Sequence, residues 1–265
     1  MAKPFGSLEK ACNILLAFDH EQEDFSAQEI SENLGLPLST TYRYLEFLVS
    51  KGFLARDGER KKYFLGLAIY RLGNLPSAKR ELIEMARPHM KALSELFQET
   101  VILTIISGWD AVCLERIETH HLIKLSLERG SCLPLHAGAS SKILLAYQDE
   151  SFIEALYRNR GLPKLTENTI TDLTRLKAHL RVIRRQGYAY SDAEADQGAR
   201  AVSVPVLSGQ GKILAGLSLA GPQMRLTEDK VIKVIEKLKG AASQISLSLR
   251  GRPEPGPEIS GDEFA

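Results

Sequence analysis

Over its first 50 residues the chain repeats apolar positions at helical spacing. "SLEKACNILLAF" (residues 7–18) sets Leu8, Ala11, Leu15 and Phe18 on one face, behind Ser7 as an expected N-cap. The acidic "DHEQED" reads as a loop. "SAQEISENLG" opens on Ser26 with Glu29 three residues later, a capping-box pattern. Ala27, Ile30 and Leu34 form its apolar side, and Gly35 can end it in the left-handed region. A third helix is expected from Pro37, a good first-turn residue, to Gly52. Thr41, Leu45 and Leu48 share its inner face, with Tyr44 beside them.

"FLARDGERKKYFLG" then places two short apolar and aromatic runs around Asp57-Gly58, the pattern of a hairpin with a charged tip. "LGLAIYRLGNLP" and "SAKRELIEMA" continue the helical pattern, which Pro88 is expected to interrupt and restart. From residue 100 the period changes. "TVILTIIS", "AVCLERIE", "HLIKLSL", "YAYSD", "RAVSVPVLS" and "KILAGLSLAG" read as strands, with turns at 108–110 and 209–211. Helical segments lie between and after them: "SSKILLAY", "DESFIEALYRN", "TDLTRLKAHLRVIRRQ" and "TEDKVIKVIEKLKGAASQISLSL". The mixture predicts an α+β chain whose antiparallel sheet carries packed helices. The Pro/Gly-rich acidic end, "GRPEPGPEISGDEFA", is expected to be disordered.

Composition narrows the class. The 265 residues suit two domains, and 44% hydrophobic with 25% charged residues is a soluble globular balance. No apolar run reaches the roughly 20 residues of a membrane-spanning helix, and the N-terminus lacks the apolar core of a secretion signal. Three cysteines, Cys12, Cys113 and Cys132, lie far apart without a CxxC, which fits a reducing cytoplasm. Neither a metal nor a cofactor is expected.

The net charge of +1 gives no guide to partners, but its distribution does. From Arg43 to Lys62 there are six basic residues (Arg43, Lys51, Arg56, Arg60, Lys61, Lys62) against three acidic ones (Glu46, Asp57, Glu59). The two helices joined by "GLP" have the length of a helix-turn-helix, whose second helix enters a DNA major groove by its N-terminal end. Short hydroxyls that approach closely, with an Arg for guanine or phosphate, suit that position. Ser39, Thr40, Tyr42 and Arg43 are therefore the expected DNA-reading residues. The hairpin becomes a wing whose Arg56, Arg60, Lys61 and Lys62 would displace counterions along the backbone.

In this order, "SLEKACNILLAF", "GLPLSTTYRYLEFLVSKGFL", "YFLGLAIYRLG", "PLHAGASSKILLAY" and "QGYAYSDAEADQGARAVSVPVLSGQGKILAGLSLAGP" resemble the IclR family of bacterial transcriptional regulators over residues 7–248. The resemblance implies an N-terminal winged helix-turn-helix (1–75), a linker helix (76–87), a C-terminal effector-binding domain with a GAF-like sheet flanked by helices (88–250), and a tail (251–265). It also implies a homodimer or dimer of dimers on a pseudo-palindromic double-stranded operator, with no membrane partner. A small effector, an organic acid or related metabolite, would modulate operator binding.

Around Gly138–Ser141 a strand gives way to a helix, and small residues there let a ligand reach backbone N–H groups that favour an anion. Carried over from the family, the pocket would be lined by Ala139, Ser140, Asp192, Ala201 and Ser218. The chain departs from the family pattern at Ser141, Ala201 and Ala220, where Gly, Cys and a second Ser are common. Fewer polar groups then line the pocket, which implies a more apolar effector than the smallest keto acids. Of Asp192 and Glu194, one reads as a solvated loop acid and the other as orienting a ligand hydroxyl. Lys142 reads as solvated, and His136 as a buried, hydrogen-bonded histidine. His120-His121 lacks a third ligand at metal spacing, and Trp109 is a hairpin tip or an interface contact. The rival classes are a metabolite-binding enzyme and an oligomeric scaffold with an incidental helix-turn-helix. GxSxG, HExxH, Walker A and GxGxxG are all missing from the sequence, so no catalytic residue is assigned.

Overall fold

The capping box forms as its spacing dictates. In the computed structural model, which describes residues 6–19, 22–121 and 127–250, the Ser26 side chain accepts from Glu29 N at 3.2 Å. Glu29 Oε2 accepts in return from Ser26 N at 2.6 Å. The described residues divide into two compact units between Pro76 and Ser77.

The first unit contains α1 (Ser7–Leu16), β1 (Asp24–Ser26), α2 (Ala27–Leu34), α3 (Leu38–Ser50), β2 (Leu54–Arg56), β3 (Lys62–Leu65) and α4 (Leu67–Gly73). Gly35 ends α2 at φ 61°. Ile14, Phe25, Ala27, Ile30, Leu45, Leu48, Leu54 and Tyr63 form the core. Two details of α1 differ from expectation. Ser7 lies inside the helix behind Gly6. Ile14 is the buried residue, while Leu8 faces out. β1, which begins on the last residue of the expected acidic loop and ends on the expected cap Ser26, pairs with β3 and makes a three-stranded sheet, order β1-β3-β2. Three residues are too short to show a period.

Gly66 starts α4 against the backbone of the α3–β2 corner. Its N–H donates to Phe53 O at 2.8 Å, and Ala68 N donates to Gly52 O at 3.0 Å. A Cβ at Gly66 would fall 2.2 Å from Gly52 O. Gly66→Ala is expected to force the two segments apart and cost about 1–3 kcal/mol, read as a lower urea midpoint at unchanged m-value.

The second unit contains α5 (Ala78–Phe97), β4 (Thr100–Ser107), β5 (Asp110–Ile117), β6 (Cys132–Pro134), α6 (Ala139–Leu145), α7 (Glu150–Arg160), α8 (Leu173–Gln186), β7 (Ala189–Asp192), β8 (Ala199–Leu207), β9 (Ile213–Pro222) and α9 (Glu228–Ser248). The sheet is antiparallel throughout, order β6-β5-β4-β9-β8-β7. Alternate residues such as Val101, Leu103, Val202, Val204, Leu217 and Leu219 pack under α5 and α9. The opposite face meets α6, with α7 and α8 behind it, through Ala111, Ala139, Ile143, Leu176, Leu180 and Ala189. No helix among the described residues is long and apolar enough to cross a membrane.

Pro88 does not break the chain: α5 runs through it to Phe97. An interior proline costs about 3 kcal/mol, which burial of Leu82, Ala86, Met90 and Leu93 on both sides of it offsets. The continuous helical pattern read through "LGLAIYRLGNLP" and "SAKRELIEMA" is thus two helices, α4 and α5, separated at 74–77. The expected strand "HLIKLSL" falls mostly on 122–126, and the tail on 251–265, outside the described residues.

Candidate functional site

Pro37 caps α3, and its carbonyl accepts from Thr40 N at 2.9 Å and Thr41 N at 3.0 Å. Thr41 is buried and turned inward, its Oγ1 donating to Pro37 O at 3.3 Å. That orientation leaves Ser39, Tyr42 and Arg43 exposed and Thr40 half-buried on the outer side of the helix. The first two turns therefore offer two hydroxyls, a phenol and a guanidinium from one rigid element.

Asp57 shapes the wing tip. Its Oδ1 accepts from Arg60 N at 3.1 Å and Glu59 N at 2.9 Å. The backbone bond from Arg60, above all, holds its carboxyl below the usual range. Lys61 then takes a left-handed φ of 56° and projects into solvent. Arg56 is exposed, its guanidinium 5.6 Å from the Tyr63 ring, and Arg60 stands 3.9 Å from Asp57. Lys62 differs: its Nζ donates to Asp24 Oδ1 at 2.6 Å, tying β3 to β1 and raising its pKa. Arg56, Arg60 and Lys61 are the wing's exposed cations, while Lys62 serves the sheet first.

In the second unit, register places the family-derived pocket residues. Ala201 pairs with Ala220, which pairs with Thr100. Ser203 pairs with Ser218, which pairs with Ile102. These side chains share the face toward α6. Ile102, Cys113 and Ala220 form a small apolar cluster there, with Leu127 and Ala201 against it. Burial pushes the Cys113 thiol up to about 11, so it remains a neutral apolar group. Ser218 Oγ is fully buried and donates to Ser203 Oγ at 2.7 Å. Ala139 and Ser140 start α6, and Thr104 Oγ1 fixes that start by donating to Ser140 O at 3.1 Å. Ala139, Ser140, Ala201 and Ser218 therefore come together on one side of the sheet.

Asp192 does not join them. Its parity in β7 matches Tyr190, on the face toward α9. Arg200 Nη2 donates to its carboxylate at 2.7 Å, Tyr190 Oη donates at 3.3 Å, and Gln223 Nε2 donates as well. The Arg200 bond leads in holding this carboxyl low. Asp192 is thus a neutralised structural acid. The roles expected of Glu194 and Lys142 change too. Lys142 is fully buried, not solvated, and its Nζ donates to Glu194 Oε1 at 2.5 Å. Glu194 Oε2 accepts a long bond, 3.4 Å, from Gly138 N. A protein carboxylate thereby occupies the amide where the helix start would favour an anion. The Glu194 carbonyl is clamped by Thr169 Oγ1 at 2.7 Å and Thr166 Oγ1 at 3.2 Å.

His136 is buried and hydrogen-bonded as expected, its Nε2 donating to Pro163 O at 2.9 Å. Burial lowers its pKa below 6.5, with Pro163 and Glu194 opposing. Burial, then Lys142, lowers that of His179. A histidine whose folded pKa is depressed stabilises fully above its unfolded value and loses that stability as pH falls through the folded value. Melting temperature is expected to drop between pH 7 and 5, and the drop to shrink in His136→Asn. Trp109 packs on Phe152 with ring centroids 5.2 Å apart, a contact within its own unit. Among the described residues no group of His, Cys, Asp or Glu could hold a metal.

The matching family models divide the chain as its fold does. The IclR helix-turn-helix domain matches residues 7–58, and the bacterial transcriptional regulator IclR C-terminal model matches 77–247. The chain belongs to the IclR family. Among IclR relatives, the HTH-type transcriptional repressor AllR of Salmonella typhimurium (strain LT2) is 32% identical over 247 residues, 93% of this chain and 91% of that protein. The HTH-type transcriptional regulator KdgR of Escherichia coli (strain K12) is 31% identical over 243 residues, 92% of each chain. A crystal structure of an IclR homolog from Microbacterium hydrocarbonoxydans, complexed with 4-hydroxybenzoate, superposes with a TM-score of 0.82 at 27% identity, covering 92% of this chain and 99% of that one.

As an IclR-family regulator, the protein carries its helix-turn-helix and its C-terminal domain on separate units. Sequence reasoning missed the Lys142–Glu194 and Arg200–Asp192 pairs. Lys142 and Glu194 lie 52 residues apart in the chain, and no local pattern announces such a pair.

Proposed function

We propose that this IclR regulator is a sequence-specific DNA-binding repressor whose operator affinity is set by a small metabolite bound in its second unit. The observation that carries the reading is the outward face of the first two turns of α3, with Ser39, Tyr42 and Arg43 exposed beside a basic-tipped wing. Ser39, Thr40, Tyr42 and Arg43 read base edges and adjacent phosphates. Arg56, Arg60, Lys61 and Lys62 follow the backbone, Lys62 through whatever charge Asp24 leaves it. Two subunits bind a pseudo-palindrome with half-sites one helical turn, or a multiple, apart. Exposed Leu67, Tyr70, Leu72 and Leu75, in and just after α4, support self-association as a dimer or dimer of dimers.

The effector lies between α6 and the sheet, against Ala139, Ser140, Ala201 and Ser218. The Ile102, Cys113 and Ala220 cluster supports an organic acid or related metabolite with an apolar body. The relative that holds 4-hydroxybenzoate supports the same class. Repeated selection of random duplexes on the full chain should enrich a pseudo-palindrome. On that operator, Ser140→Trp is expected to abolish release or tightening by any organic acid that acts on the parent protein, at unchanged basal affinity. No enrichment would end the DNA reading; a normal response from Ser140→Trp would move the effector elsewhere.

A further inference from the structure

Between α8 and α9, along the outer edge of β7, lies a cleft of about 580 Å³ that the proposed effector site does not use. Val182 and Ile232 stand on its rims, 40% and 72% exposed, and Val231 and Ile235 extend its apolar wall. The polar groups that converge on it are only partly satisfied. Ala193 N donates to Ala199 O on the β8 side, so odd residues of this strand bond inward. Tyr188, Tyr190 and Asp192 turn their amides and carbonyls toward the cleft. Gln186 Nε2 donates to Tyr188 O at 2.8 Å, and Asn168 Nδ2 donates to Asp192 O at 2.9 Å. Among the described residues nothing pairs with the N–H or C=O of Tyr190 between them, and nothing hydrogen-bonds the half-buried imidazole of His179 on the α8 wall. Charge marks the cleft as well. Among the described residues no lysine or arginine lines it, whereas Asp192, Glu194 and Glu228 do. Arg200 neutralises Asp192, and Lys142 neutralises Glu194. Lys239 is held at one end by Gln186 O, 2.8 Å away. Glu228, exposed at the start of α9, forms no ion pair among the described residues.

We propose that this cleft is a second ligand site, for a planar nitrogen heterocycle that sets a ring acceptor beside an N–H donor, as the amino edge of adenine or cytosine does. The ring nitrogen accepts from Tyr190 N, and the amino group donates to Tyr190 O. These are the two bonds that a strand residue exchanges with its partner across a ladder. A strand is itself excluded, since it would also need the neighbouring carbonyls, which Gln186 and Asn168 occupy. One uncapped residue recessed between two helices suits a small molecule. The volume lies within the usual range of small-molecule pockets, whose common make-up is apolar walls with a few convergent polar groups. His179 offers the ligand a further partner from the α8 wall. The carboxylates, Glu228 above all, repel an anion, so the site takes the uncharged base and rejects its phosphorylated form. Its charge preference is thus opposite to that of the organic-acid pocket between α6 and the sheet.

The test needs neither DNA nor the effector. On the full chain, adenine and cytosine at millimolar concentration should each raise the melting temperature, and titration calorimetry should give saturable binding. The dimethylamino analogue of adenine keeps the ring acceptor and loses the donor, and should bind at least about tenfold more weakly than adenine. Adenosine monophosphate should be weaker by a similar factor, and Glu228→Gln should narrow that gap. Val182→Trp and Ile232→Trp, made separately at the two exposed rims, should each fill the cleft and remove the shift. Ser140→Trp should keep it, which separates this site from the pocket behind α6 whatever the fate of that reading. No shift with either base overturns the proposal. So does a shift that both rim variants retain, one that Ser140→Trp loses, or equal affinity for adenine and its dimethylamino analogue.

Discussion

Glu194→Leu is expected to cost about 3–5 kcal/mol in unfolding free energy, because it strands the fully buried ammonium of Lys142. Burial already lowers the Lys142 pKa, with Glu194 opposing that shift. Without the carboxylate, Lys142 must shed its proton or draw water into the space behind α6. The cost belongs to the broken pair more than to the pair itself. Two desolvated charges replaced together by apolar side chains are often neutral or better. Lys142→Met/Glu194→Leu is therefore expected to recover most of the loss, and urea unfolding of both variants checks this. A mild effect from Glu194→Leu alone would mean that Lys142 reaches solvent in solution. The pair also ties Gly138, at the start of α6, to the 192–194 turn, so the two walls nearest the proposed effector site are coupled through Glu194.

Arg43→Ala is expected to weaken binding to the selected operator by about 1–3 kcal/mol, a loss of roughly 5- to 150-fold, and to relax preference at one base position. Arg43 sits on the outer side of α3, in the second turn after the Pro37 cap, where a guanidinium can reach a guanine edge. Lys61→Ala should behave differently. Its left-handed backbone projects the ammonium from the wing tip, a position suited to phosphate. Binding should weaken on every sequence, and the slope of log affinity against log salt should flatten by about 1. Equal effects of the two changes on specific and scrambled duplexes would assign Arg43 to phosphate as well.

The legible parts of the fold were those with local causes. The Ser26–Glu29 box and the left-handed Gly35 follow from spacing alone, and both form. The strand from Thr100 to Ser107 has the bounds its apolar run suggests. β1 and β6 are three residues each and carry no period of their own. Pro88 misled because its penalty is local while the packing that outweighs it comes from the sheet. Asp192 misled for a different reason. Resemblance fixes a position in the chain, but the pleat of β7 decides its face, and Arg200 holds it on the α9 side. Lys142 shows the limit of reading charge from sequence, since its partner arrives from a loop 52 residues away.

The most direct test is a salt titration of the full chain on its selected operator and on a scrambled duplex of equal length. At physiological salt the operator should bind at least about 1,000-fold more tightly than the scrambled duplex. Tyr42→Ala/Arg43→Ala should remove most of that ratio while leaving salt-dependent, non-specific binding in place. A ratio near one, or a ratio that survives the double substitution, would contradict the assignment of α3 as the reading helix.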